Sequence, residues 1–199
     1  MGWNGMMTAV VMTAVAGSAS AAVIPASLVE LDTDSTVTVT FDSSDAGAKG
    51  SLYFLGHEQD GSITYATSTD ANGLGKWLFS NHGTAPGFSV DLGMLPGGAL
   101  LHFAYLITNG VSNAPTGSLF RTDVLADMQY FMSDVVAADS SGTTMSYGIE
   151  DIRNPAKSDW DYNDVMFTVR VDPIPGPGAI ALTASAMLLV GVRRRRRVD

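Results

Sequence analysis

Between residues 31 and 171 the apolar positions come in short runs with a period near two, and no long stretch keeps the 3.6-residue period of a helix. The segment Thr36-Val37-Thr38-Val39-Thr40-Phe41 alternates cleanly. It predicts a strand with Val37, Val39 and Phe41 facing a core and the threonines facing water. Further strands are predicted over 51–55, 63–67, 76–79, 88–92, 100–107, 130–136, 143–149 and 165–171. Turn pairs separate them: Asp60-Gly61, Asn72-Gly73, Gly97-Gly98, Asn109-Gly110 and Ser141-Gly142. A single helical turn is expected over 122–128. Many short strands with frequent turns predict an all-β domain, a single β-sandwich or jelly-roll-like fold over residues 23–172.

The ends read differently. Residues 6–16 form an apolar run too short to span about 30 Å of hydrocarbon. Gly17-Ser18-Ala19-Ser20-Ala21 follows, with the small-x-small pattern Ala19-x-Ala21 that a signal peptidase accepts. Residues 1–22 are therefore expected to be a signal peptide, although the segment before the apolar run carries no Lys or Arg. At the other end, Ile174, Pro175, Gly176, Pro177 and Gly178 precede an apolar stretch over 179–192, expected to be a short transmembrane helix. Its 14 residues give about 21 Å of helix. Arg193, Arg194, Arg195, Arg196 and Arg197 follow at once. Such a cluster stays on the cytoplasmic side and leaves the body outside.

Charge sharpens this picture. The arginine run holds five of the 11 basic residues of the chain, which leaves six basic residues against nineteen acidic ones before residue 193. An acidic body repels nucleic acid and anionic surfaces and attracts divalent cations. There is no cysteine, so disulfides and thiolate metal sites are excluded. His57, His82 and His102 lack metal-ligand spacing and are expected in loops or at the surface. No Gly-x-Ser-x-Gly elbow, phosphate-binding loop or dinucleotide fingerprint is present. Trp77 and Trp160 offer faces for sugar stacking, but tryptophan in a sandwich is usually core.

One segment is chemically dense. Glu150, Asp151, Asp159, Asp161, Asn163 and Asp164 fall within fifteen residues. If the chain is extended from Asp159, then Asp159, Asp161 and Asn163 share one face, and that face continues into the core as Val165, Phe167, Val169 and Val171. Pairing of strands 143–149 and 165–171 would bring all six oxygen-bearing residues to one end. Crowded carboxylates favour a hard cation, and calcium takes six to eight oxygens in flexible geometry. The spacing is not that of an EF-hand, because Asp164 stands where the turn glycine belongs and Arg170 where the closing glutamate belongs. The alternative is a metal-free polar corner closed by Asx turns, with Arg153 or Lys157 neutralising some of the charge.

Two resemblances add to this reading. The order of Pro-Gly motif, apolar helix and arginine cluster over 173–199 resembles the PEP-CTERM tail that exosortase enzymes process, with Gly176 where many members have glutamate. That resemblance implies contact with the export machinery and an exosortase-type enzyme, a transient or retained insertion in the inner membrane, cleavage near the Pro-Gly motif, and release of the body or its attachment at the surface or in the matrix. Gly148-Ile149-Glu150-Asp151-Ile152 and Asp159-Trp160-Asp161-Tyr162-Asn163-Asp164-Val165-Met166-Phe167 resemble the closing motif of an uncharacterised β-rich domain of bacterial surface proteins. The loose resemblance extends over about residues 88–171; it implies a β-rich extracellular domain with a calcium site and supplies no catalytic activity. The expected function is a non-enzymatic structural or adhesive surface protein with bound calcium. The alternative is a small carbohydrate-binding or polysaccharide-hydrolysing module with envelope polysaccharide as partner.

Overall fold

The computed structural model describes residues 28–139 and 141–176. The expected signal peptide with Ala19 and Ala21 lies outside the described residues, as do Pro177, Gly178, the apolar run 179–192 and Arg193 to Arg197. Among the described residues no helix is long and apolar enough to cross a membrane.

The described chain is all-β, built from two antiparallel five-stranded sheets. The strands are β1 (Ser35–Ser43), β2 (Lys49–Gln59), β3 (Ser62–Tyr65), β4 (Lys76–Ser80), β5 (Ser89–Leu95), β6 (Leu100–Asn109), β7 (Leu119–Arg121), β8 (Phe131–Asp139), β9 (Gly142–Ile149) and β10 (Val165–Pro173). One sheet runs β5-β1-β10-β9-β8. The other runs β3-β2-β6-β7, with β4 also paired to β2. Every strand expected from the hydropathy pattern is present. The short β7 was not legible, and the helical turn expected at 122–128 is a set of turns leading into a 3-10 turn at Met128–Tyr130.

The alternation in β1 and β10 sets the register. Val37, Val39 and Phe41 pair with Val171, Val169 and Phe167, and all six are buried. A one-residue slip would turn each of them into solvent, so burial of one face fixes the pairing. The facing sheet contributes Leu52, Phe54, Leu101, Phe103 and Tyr105 to the same core. Phe167 sits at its centre, with ring centroids of Tyr147 at 5.0 Å, Phe103 at 5.5 Å and Phe79 at 6.2 Å. The β2–β3 hairpin turns through Asp60 and Gly61 at φ of 51° and 74°, the left-handed pair that a two-residue hairpin needs.

A smaller apolar cluster lies on the outer face of the second sheet, where Tyr53, Leu55 and Ala104 pack with Leu74, Leu106 and Leu119. The loop between β3 and β4 supplies Leu74. Gly75 makes this close approach possible, because its φ is +89° and an added Cβ would lie 2.4 Å from the carbonyl oxygen of Phe54.

Candidate functional site

Strands β9 and β10 pair with Ile149 opposite Val165, so the connection over 150–164 starts and ends at one point of the sheet. This brings Glu150 and Asp151 beside Asp164, as strand pairing predicts. Glu150 is 0% exposed and Asp151 3%. The backbone N–H of Glu150 donates to the carbonyl of Tyr130 at 2.9 Å, and that of Asp151 donates to Asp164 Oδ2 at 2.8 Å.

The segment 159–163 is not extended, contrary to the expected strand geometry. Trp160 and Tyr162 adopt φ of 57° and 56°, a conformation that bulky residues rarely take without tertiary support. The support is visible. The Trp160 ring stacks on Tyr130 with centroids 5.8 Å apart and planes at 18°. Tyr162 is buried and donates its hydroxyl to the carbonyl of Gln129 at 3.0 Å. Side chains also bond the backbone locally. Ser158 Oγ accepts the N–H of Trp160 at 3.2 Å, and Asp161 Oδ1 accepts that of Asn163 at 3.2 Å. Such bonds compete with a strand ladder and hold the chain in a tight loop.

Gly148 completes this frame. A Cβ there would lie 2.3 Å from the carbonyl oxygen of Tyr162 and 2.9 Å from its Cβ. Only glycine lets the loop lie on β9 at this point. Gly148→Ala is therefore expected to cost about 1–3 kcal/mol through overpacking. Chemical denaturation of the variant would measure it, and a loss below about 0.5 kcal/mol would contradict the close approach.

Of the six predicted oxygen-bearing residues, three converge. Glu150, Asp159 and Asp161 each place a carboxylate oxygen within 4.8 Å of the other two. Asp159 and Asp161 are exposed, whereas Glu150 lies buried. Asn163 lies beside them. Its Nδ2 donates to Asp161 Oδ2 at 2.7 Å, so it orients that carboxylate. Asp164 holds the backbone of Asp151, and its own carbonyl accepts the Ser44 hydroxyl at 2.6 Å.

The electrostatics of this corner are uncompensated. Glu150 Oε2 and Asp151 Oδ2 are buried with no hydrogen-bond partner among the described residues. Burial, then the charge of Asp164, pushes the Glu150 carboxyl above its ordinary range. Asp151 is pushed up to about 7, by burial first and then by the charges of Asp164 and Glu150. Asp164 is also raised, mainly by burial.

The cations expected to neutralise the cluster are engaged elsewhere. Arg153 forks onto Asp127 at 2.8 and 3.1 Å, donates to the carbonyl of Leu119, and lies 4.5 Å over the Phe120 ring. Lys157 donates to Asn113 Oδ1 at 3.0 Å. Ile174, Pro175 and Gly176 lie beyond the last core position of β10, and the Ile174 N–H donates to the carbonyl of Asp34 at 2.8 Å.

Two side chains depart from expectation. His102 is buried in β6, 3.3 Å from Glu58 Oε2 and 3.4 Å from Thr122 Oγ1, and is not a surface or loop histidine. Trp77 on β4 is 37% exposed and is not core.

Fold and site together define a two-sheet β domain with an acidic loop joining two core strands. No protein-family model and no curated protein matches the chain. Solved structures similar to it include a high-affinity mannose-binding lectin of Ralstonia solanacearum, with 15% identity over 74% of this chain and 95% of the lectin, at a TM-score of 0.38. A Chromobacterium violaceum lectin in complex with alpha-methyl-fucoside is 14% identical over 74% of this chain and 95% of its own, at a TM-score of 0.33. Similarity at this level does not identify a ligand for this chain.

Proposed function

We propose that the chain is an exported, non-catalytic surface module whose β9–β10 loop is stiffened by a calcium ion held by Glu150, Asp159 and Asp161. The observation that carries the reading is the buried, unpartnered oxygen of Glu150 in a cluster that neither Arg153 nor Lys157 reaches. The other oxygen, Oε1, accepts a long bond from the Ile152 N–H at 3.4 Å, and a buried carboxylate oxygen with neither cation nor donor is costly. A hard, oxygen-seeking ion relieves that cost, and water fills the rest of its coordination sphere. The ion would fix a loop that carries two residues in left-handed geometry.

The surface address rests on the sequence: the short apolar N-terminus, the Pro-Gly, apolar and arginine-rich tail, and the acidic body. An exosortase-type enzyme would process the tail, and the mature module would stand at the envelope or in the matrix. Hydrolysis of polysaccharide fits the site poorly. A paired acid and base must face each other across room for a substrate, whereas Glu150 is fully buried. Carbohydrate binding is the second reading, favoured by the exposed Trp77.

Calorimetric titration with calcium tests the site. The unaltered chain is expected to bind one ion per chain, and Asp161→Asn to weaken binding at least about tenfold. Absence of heat and of binding in the unaltered chain would overturn the metal reading.

A further inference from the structure

We propose that the outer edge of the second sheet, where Trp77 stands beside Asp70, is a binding site for a neutral pyranose glycan. The site rests on the carbohydrate-binding reading and is independent of the acidic loop.

A shallow cleft there is lined by Thr69, Asp70, Lys76 and Trp77. Trp77 lies on β4, which pairs with the N-terminal half of β2 and forms a sheet margin. Exposed indoles are apolar platforms on which the C–H face of a sugar ring stacks.

The polar partners are held in place before any ligand arrives. Asp70 Oδ2 accepts the Tyr53 hydroxyl at 2.7 Å and Asn72 Nδ2 at 3.0 Å, while Oδ1 accepts the Asn72 N–H at 3.0 Å. Tyr53 is itself 1% exposed, so the carboxylate is tied to a residue that cannot swing. Its pKa is held low. Desolvation raises it, but the hydrogen bonds from Tyr53 and Asn72 together outweigh that. With Tyr53, both Asn72 donors and the Gly73 N–H on it, the ionised carboxylate is a fixed negative edge of the cleft that favours sugar hydroxyl donors. Thr69 Oγ1 accepts the N–H of Trp77 at 2.8 Å, which couples the loop to the aromatic platform and leaves the threonine proton free to donate. Lys76 Nζ donates to the carbonyl of Asp91 at 2.6 Å, crossing from β4 to the neighbouring sheet. An Asx turn accounts for Asp70 alone. It does not account for an exposed tryptophan tied to the same loop.

Charge selects the class of glycan. Before residue 193 the acidic residues outnumber the basic ones by nineteen to six, and the lysine of the cleft is engaged. A polyanionic polymer is repelled, and a neutral polymer is not. Preorganisation reduces the ordering cost that makes shallow sites weak.

Affinity electrophoresis of the full chain through gels cast with mannan, dextran or hydroxyethylcellulose tests the site, with heparin as the polyanionic control. The expected result is retardation by at least one neutral polymer and not by heparin. Trp77→Ala is expected to weaken it about tenfold or more, and Asp70→Asn to weaken it as well, with the melting temperature of Trp77→Ala unchanged. If no neutral polymer retards the unaltered chain, the site and the carbohydrate-binding reading both fall. If a polymer retards the unaltered chain and folded Trp77→Ala equally, the site falls and the carbohydrate-binding reading stands.

Discussion

Replacing Phe167 with alanine is expected to destabilise the domain by about 3–5 kcal/mol. The side chain is 0% exposed and its ring meets those of Tyr147, Phe103 and Phe79, so both sheets close on it. Deleting it removes the transfer free energy of the ring and leaves a cavity that two hydrogen-bonded sheets fill poorly. A loss of this size is a large fraction of the stability of an ordinary domain. Urea denaturation would read it as a lower midpoint at unchanged slope. Phe167→Leu keeps much of the volume and is expected to lose less. A loss under about 1 kcal/mol for the alanine variant would mean that the aromatic cluster is not the centre of the core.

The second large effect is a link between pH, calcium and stability. The carboxyls of Glu150, Asp151 and Asp164 all have pKa values raised by burial. In the unfolded chain such groups titrate near pH 4. The calcium-free native state therefore holds more protons than the unfolded state between about pH 4 and the Asp151 value of about 7. The stability contributed by these protons is complete below pH 4 and is lost as pH rises through that window. Calcium bound at the proposed site would reverse the sign, because it takes the ionised forms and its affinity would rise with pH. At a hundredfold excess over its dissociation constant the ion adds about 2.7 kcal/mol, or about 5–10 °C in melting temperature for a domain of this size. Melts at pH 5, 6 and 7 with chelator are expected to fall in order, and with calcium to recover most at pH 7.

The alternation of Val37, Val39 and Phe41, and of Val165, Phe167, Val169 and Val171, could be read in the sequence because each strand buries one face and exposes the other. Strand β7 could not, since Leu119–Arg121 is too short to show a period. In the acidic loop the composition was legible and the geometry was not. Trp160 and Tyr162 are turned into left-handed conformation by Tyr130, Gln129 and Gly148, contacts made across the fold. Period two therefore gave the wrong backbone for Asp159, Asp161 and Asn163, although their side chains do come together. The partner of Arg153 was hidden for the same reason, because Asp127 lies 26 positions upstream and reaches it only through folding. The glycine of the Gly148-Ile149-Glu150-Asp151 motif gains its reason only when Tyr162 is seen crossing it.

Whether the acidic loop is a metal site is tested most directly by a pair of thermal melts of the full chain at pH 7, one in excess chelator and one in millimolar calcium. A calcium site gives a melting temperature several degrees higher with calcium, with Asp161→Asn losing most of that rise. Identical melts for the unaltered chain would contradict it and leave Glu150, Asp159 and Asp161 as turn chemistry alone.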